Sequence, residues 1–223
     1  MKKYVRTPED PVLPGSVYAE KVWPGVHKGP RASKIYVAPE REFADYNLGN
    51  IGSQRIQFVV AHNGPNSETL VHAHPDQEQV DYVVSGQVAI RNGDQEIQAG
   101  PGHSVFTPPA TDHGYRNPFP GWMTLLDLHS YQYPDVPPSK LRVTRVSEGP
   151  GGFSGELKHL DREEVYYVLV GNGRFTVHGE EIEAAAGDIV YIPRSAPHSY
   201  STVGDAPLEL VAITSYDVPS KVT

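Results

Sequence analysis

Ten histidines are spread along the chain of 223 residues, and three of them stand where they could act together. His72 and His74 are separated by a single residue. Side chains on a strand alternate between its two faces, so these imidazoles share one face. Gln79 opens the next predicted strand, and His113 follows the Gly102 turn and Pro108. Within the mouth of a barrel these positions can converge. Imidazole nitrogens completed by an amide or carboxylate oxygen suit a borderline divalent metal ion. The alternative is a core network of hydrogen-bonded histidines.

The elements that must position these residues occur twice. Residue n placed beside residue n + 85 aligns the chain with itself without a gap. Gly64-Pro65 falls on Gly149-Pro150, and His74 on His159. Glu78, Val80, Tyr82 and Gly86 fall on Glu163, Val165, Tyr167 and Gly171. Further on, Gly102, Pro108, His113 and Tyr115 meet Gly187, Pro193, His198 and Tyr200. One offset kept through so many positions marks an internal repeat. Each copy reads as short β-branched or aromatic runs such as IQFVVAH and QVDYVVSG, bounded by Gly, Pro, Asn or Asp. About eight short strands in some 80 residues predict a small closed or two-sheet barrel. The expected fold is therefore all-β, with one unit at 51–134, a second at 140–219 and a proline-rich joint between them. Residues 1–50 have no partner in the second copy. They are expected to add edge strands, to arm another subunit, or to form a loosely packed extension.

Composition narrows the function classes. Glycine and proline number 21 each, nearly a fifth of the chain against an average of about 12%, which disfavours long helices. The formal net charge of −8 makes nucleic acid and anionic membrane poor partners. With no cysteine, disulfides, thiolate metal sites and cysteine nucleophiles are excluded. The start, MKKYVRTPEDPVLPG, lacks the apolar stretch of a secretory signal, and no apolar run is long enough to span a bilayer. The expectation is a soluble cytoplasmic protein acting on a small molecule.

The string HAHPDQEQVDYVVSG resembles the first motif of the cupin superfamily, and GHSVFTPPATDHGYRN resembles the second. In the second motif the matching positions are Gly102, Pro108, Ala110, His113 and Asn117, with Ala110 where the family usually has Gly. The whole resembles a compact bicupin, which implies two tandem jelly-roll (double-stranded β-helix) barrels and a homodimer. It also implies a divalent ion (Fe, Mn, Ni, Cu or Zn) held by His72, His74, residue 79 and His113. The register puts Gln79, not Glu78, at the usual acidic position, and the repeat agrees because Gln79 falls on Glu164. A one-residue bulge would instead swing Glu78 inwards. In the second copy Leu157 replaces the first histidine while His159, Glu164 and His198 remain. Two histidines and a carboxylate can bind a metal with open positions; the other reading is a decayed site whose Glu164 pairs with an imidazole.

Charge counting separates the chemistries. Three neutral imidazoles and a neutral amide leave the whole double charge of an ion for the substrate, which makes a strong Lewis acid. The same neutrality makes a +3 state less comfortable. The leading expectation is thus a non-redox isomerase, lyase or cyclase acting on an enolisable or phenolic, oxygen-rich substrate. A metal-dependent dioxygenase, and a non-catalytic binding module, are the alternatives. Asp81, two residues beyond Gln79, is the expected base, and Tyr115, two beyond His113, the expected donor to a developing oxyanion. His62 and His129 lie on neighbouring strands with nothing to fix their facing. His27, His103 and His178 read as surface or turn residues.

Overall fold

The computed structural model describes residues 3–22, 24–46 and 49–218; the ends of the segments 1–50 and 140–219 extend outside that set. It is an all-β molecule built from two copies of one two-sheet barrel. Among the described residues, helix is confined to Gly15–Val22, Glu40–Phe43 and a 3₁₀ turn at Ala44–Tyr46. No helix there is long and apolar enough to cross a membrane.

In the first barrel the larger sheet runs Ser104–Thr107, Gln77–Ser85, Met123–Tyr131, Ile56–Asn63, Arg31–Pro39, Leu13–Pro14. The smaller one runs Gln95–Ala99, Val88–Asn92, His113–Arg116, Glu68–His72, His27–Lys28. The second barrel repeats this with Ile189–Ile192, Arg162–Val170, Leu208–Asp217 and Ser139–Glu148 facing Glu180–Ala185, Asn172–Val177 and His198–Val203. The N-terminal extension adds edge strands, the first of the three expectations for it. Arg31–Pro39 pairs with Ile56–Asn63, and His27–Lys28 with Glu68–His72. Val5–Arg6 caps the second barrel along Ile189–Ile192. An unpaired edge offers free N–H and C=O groups to any passing strand, so these additions close off three such templates.

Strand alternation decides which residues reach each interior. Along Gln77–Ser85, Val80 and Tyr82 join the large core between the barrels, while Val83 joins the core inside the first barrel with Val88, Ile90, Met123 and Leu125. Gln79 and Asp81 share the face of Val83; Glu78 shares the face of Val80. The barrels meet through their larger sheets, where Phe58 stacks on Tyr167 with ring centroids 6.3 Å apart.

The seam between them follows the repeat. Glu163 accepts hydrogen bonds from the backbone N–H groups of Gln54, Arg55 and Ile56 and from the Tyr191 hydroxyl. Its counterpart Glu78 accepts from Leu141 N and from Lys140 Nζ, the positions equivalent to Ile56 and Arg55. Ser130 and Ser215, also equivalent, hydrogen-bond each other at 2.8 Å. The barrels are thus related by an approximate two-fold that passes between these serines. Glu78 faces this seam and not the first barrel's interior, and no bulge brings it inwards.

Removing the carboxylate at Glu163 strands several buried donors at once. Glu163→Ala is expected to lower unfolding free energy in urea by about 3–5 kcal/mol. Glu78→Ala costs less, because its Lys140 partner is half exposed. A loss at Glu163 below about 1 kcal/mol would show that the seam is held some other way.

Candidate metal centre

His72 ends the strand Glu68–His72, and His74 follows in the turn that leads to Gln77–Ser85. His113 begins its own strand opposite His72 in the antiparallel ladder. The loop before it is fixed by Ala110, whose φ of 59° lies in the left-handed region that an L side chain enters at a cost. Ala110 N donates to His74 O at 2.7 Å, which ties the His113 loop to the His74 turn. Ser195 repeats the device, with φ 65° and a bond to His159 O.

The three rings face one another, with centroids 4.5 Å apart for His72–His113, 4.9 Å for His72–His74 and 5.0 Å for His74–His113. One nitrogen of each lies within 4.8 Å of those of the other two. Two rings are oriented by backbone oxygens: His72 Nδ1 donates to Leu70 O and His113 Nδ1 to Thr111 O, both at 2.8 Å. That tautomer leaves the lone pair on Nε2, the arrangement a metal-ligating imidazole needs. Nε2 of His113 is buried without a hydrogen-bond partner. Burial lowers all three imidazoles below their ordinary value. His113 falls to about 4, and His74 is further depressed by its neighbours His129, His72 and His113.

Gln79 stands on the cavity wall beside them. Its Nε2 donates to Asp81 Oδ2 at 3.1 Å, while its Oε1 is buried with no hydrogen-bond partner. An orphaned amide oxygen on the same cavity wall as three imidazoles is a fitting donor set for a divalent ion. Asp81 lies behind Gln79 and does not itself line the cavity. Burial, reinforced by the charge of Asp127, pushes its carboxyl well above the usual range. Its contact with the Gln79 amide places it to orient that side chain.

The carboxylate at the wall is Asp127, directly across the ladder from Asp81. Burial raises it, but the adjoining His129 outweighs burial and holds it below the ordinary value. His129 Nε2 sits 2.9 Å from Asp127 Oδ1, and its ring lies 5.1 Å from that of His74. Sequence reasoning left the facing of His129 open and missed Asp127. The signal was present: Leu125, Asp127 and His129 share one face of a strand whose Leu125 is core. Tyr115 also lines the cavity, and burial pushes its phenol up. His27, read from sequence as a surface or turn residue, lines the cavity too. It is brought there by the extension, together with Arg31. The cavity is small, about 50 Å³. His62 lies outside, hydrogen-bonded to Thr124.

In the second barrel His159, Glu164 and His198 also gather their ligand atoms within 4.8 Å. Glu164 is already engaged: Oε2 lies 3.3 Å from His198 Nε2, and it accepts from Tyr166 and Thr214. Burial pushes Glu164 up, yet the His198 contact outweighs it and lowers the group; burial pushes His198 down, yet Glu164 raises it. Leu157 pairs with His198 through a single backbone bridge and is partly exposed.

Two face-to-face sheets per barrel, repeated, with a histidine cluster at one mouth, define a bicupin architecture. The chain matches the Cupin domain family twice, at residues 59–129 and 144–214, and belongs to it. Over 69 residues, 31% of this chain and 57% of the other, it is 33% identical to an oxalate-binding protein of Thermotoga maritima. Over 54 residues, 24% and 43%, it is 41% identical to an uncharacterized protein of Methanocaldococcus jannaschii. The matched stretches thus span about half of those relatives. The fold is shared with AerE from Microcystis aeruginosa (TM-score 0.73, 15% identity, 97% of this chain and 100% of that one). It is shared as well with oxalate decarboxylase of Bacillus subtilis, a protein with Mn(II) centres (TM-score 0.68, 13% identity, 99% and 79%).

Lowered imidazoles make the metal-free protein sensitive to acid. An unfolded histidine titrates near 6.5, whereas His113 titrates at about 4 in the fold. The stability it contributes is complete above about pH 6.5 and is lost as pH falls towards 4. Asp81, raised in the fold, works in the opposite sense, so the variant must be compared with the parent. In chelator-treated samples, the urea midpoint of wild type should fall more steeply between pH 6.5 and 4 than that of His113→Asn. Equal slopes would contradict a buried neutral His113.

Proposed function

We propose that the first barrel is the site of a metal-dependent, non-redox enzyme of the isomerase, lyase or cyclase kind. Its substrate is a small, enolisable, oxygen-rich molecule. The observation that carries this reading is the convergence of three imidazoles, His74 and His113 buried and His72 half-buried, with ligand atoms within 4.8 Å, beside a neutral amide. Held by His72, His74, His113 and the Gln79 oxygen, a divalent ion supplies Lewis acidity towards a carbonyl, enol or carboxylate oxygen.

The chain's own groups supply the proton transfers. His129 Nδ1 is buried without a partner, while Nε2 faces Asp127. Asp127 keeps the proton on Nε2, so Nδ1 offers a lone pair to the cavity, and the carboxylate stabilises the imidazolium that forms. This assigns to the His129–Asp127 pair the role that sequence had given Asp81, and leaves Asp81 to position Gln79. Tyr115, kept protonated by burial, serves as donor to a developing oxyanion.

A dioxygenase is the second reading, favoured by the two-histidine, one-carboxylate cluster of the second barrel. Equilibrium dialysis against Mn²⁺, followed by anaerobic assay on a panel of small keto and hydroxy acids, separates the two. The proposal expects one ion per chain, lost in His113→Asn and retained in His198→Asn, with turnover that needs no O₂. Turnover that required O₂ would refute the non-redox reading, and a bound ion without turnover would leave a binding module.

Gln79→Glu probes the charge argument directly. A carboxylate there should bind Mn²⁺ on the order of tenfold more tightly and slow turnover by a similar factor. Facing Asp81 and Asp127, it should also destabilise the metal-free protein by about 1–3 kcal/mol. Indifference of all three quantities would remove the argument's force.

A further inference from the structure

The cavity of the first barrel has a second cationic pole, and the N-terminal extension delivers it. Arg31 begins the strand Arg31–Pro39, and its guanidinium lines the cavity. Nη1 donates to Thr69 Oγ1 at 3.0 Å and to His27 Nδ1, and Nε donates to Ser33 Oγ at 3.4 Å. The group lies over the Tyr115 ring, 5.7 Å from its centroid. All of these partners are neutral side chains. Within the described residues Nη2 makes no hydrogen bond, and no carboxylate comes within ion-pair distance of the guanidinium. His27 is held neutral by burial and by Arg31 itself, at about 3, so it fixes the guanidinium without adding charge.

A half-buried guanidinium held in place by three neutral acceptors, with one amino group left over, is arranged for an anion that is not part of the chain. Across the same small cavity lies the imidazole centre, whose own donors are neutral. The one carboxylate on the wall, Asp127, is engaged by His129. With a divalent ion on the imidazoles, a ligand spanning the space would meet a cationic group at each end, with the Asp127 carboxylate drawn to His129 on the wall. The space is small, about 50 Å³, which favours a short ligand.

We propose that the first barrel selects a short dicarboxylate dianion, with one carboxylate taken by Arg31 Nη2 and the other placed at the His72–His74–His113 centre. The second half of this statement rests on the metal reading above; the role of Arg31 does not. Because Arg31 and His27 belong to the extension, which the repeat does not copy, this preference is a property of the first barrel alone.

Isothermal titration with malonate, acetate and malonamide tests the proposal on wild type, Arg31→Met and Arg31→Lys, each with and without saturating Mn²⁺. Circular dichroism and thermal unfolding check that the variants fold. Wild type loaded with Mn²⁺ should bind malonate at least about tenfold more tightly than acetate, and malonamide not measurably. Arg31→Met should lose about 30-fold in malonate affinity while its Mn²⁺ affinity stays within about threefold, and Arg31→Lys should recover part of the loss. Malonate binding in Arg31→Met within about threefold of wild type would overturn the proposal, as would equal binding of malonate and acetate. Should wild type take up no Mn²⁺, the metal reading fails by itself. The metal-free titration then decides the role of Arg31: a malonate affinity dependent on Arg31 upholds it, and one independent of Arg31 overturns it. If Arg31→Met does not fold, Arg31→Lys carries the same comparison with a smaller expected loss.

Discussion

Backbone carbonyls hold the centre of the first barrel in its chemical state. Leu70 and Thr111 each accept the Nδ1 proton of the histidine two residues on, so both rings turn their Nε2 lone pairs towards the same small space. Burial then penalises protonation of rings packed 4.5–5.0 Å apart, since several imidazolium ions crowded together would repel one another in a poorly screened cavity. The result is a cluster of neutral, oriented donors with an amide oxygen beside them. The charge argument for the metal site follows from that neutrality. It leaves the charge of a bound ion uncompensated, and it leaves Arg31 as the other positive group facing the ligand.

The same alternation that builds the site also builds the dimer-like body of the chain. Odd-numbered residues of Gln77–Ser85 enter the first barrel and even-numbered ones enter the seam. Gln79 and Asp81 therefore serve the cavity, while Glu78 caps the first strand of the other barrel at Leu141. Glu163 returns the arrangement at Arg55 and Ile56. Buried carboxylates without partners would be costly; here each is satisfied by backbone N–H groups of the opposite repeat. A shift of register by one residue would exchange Gln79 for Glu78, bring a charge into the cavity and strand the seam donors, so the packing of two barrels and the identity of the fourth donor are tied together.

Much of this was legible in the sequence. The constant offset of 85 reflects real three-dimensional equivalence down to backbone angles, as the left-handed Ala110 and Ser195 show. The grouping of His72, His74 and His113 was legible from their spacing, although the strand ends at His72 and it is the turn after it, tied to the Ala110 loop, that brings His74 to the others. Arg31 and His27 could not be found that way. They reach the cavity because an unrepeated extension pairs across long sequence separations with Ile56–Asn63 and Glu68–His72, and no periodicity within residues 1–50 announces that partner. Asp81 illustrates a different limit. Its face was assigned correctly from alternation, but depth along that face was not available, and Gln79 stands between it and the cavity.

Pulsed electron paramagnetic resonance of the Mn²⁺-loaded chain tests the central claim most directly, because it counts the imidazole nitrogens bound to the ion. The account predicts coupling to three histidine nitrogens in wild type, falling to two in His72→Ala and unchanged in His159→Ala. Coupling to two nitrogens in wild type, lost on substitution of His159 instead of His72, would place the ion in the second barrel and contradict it.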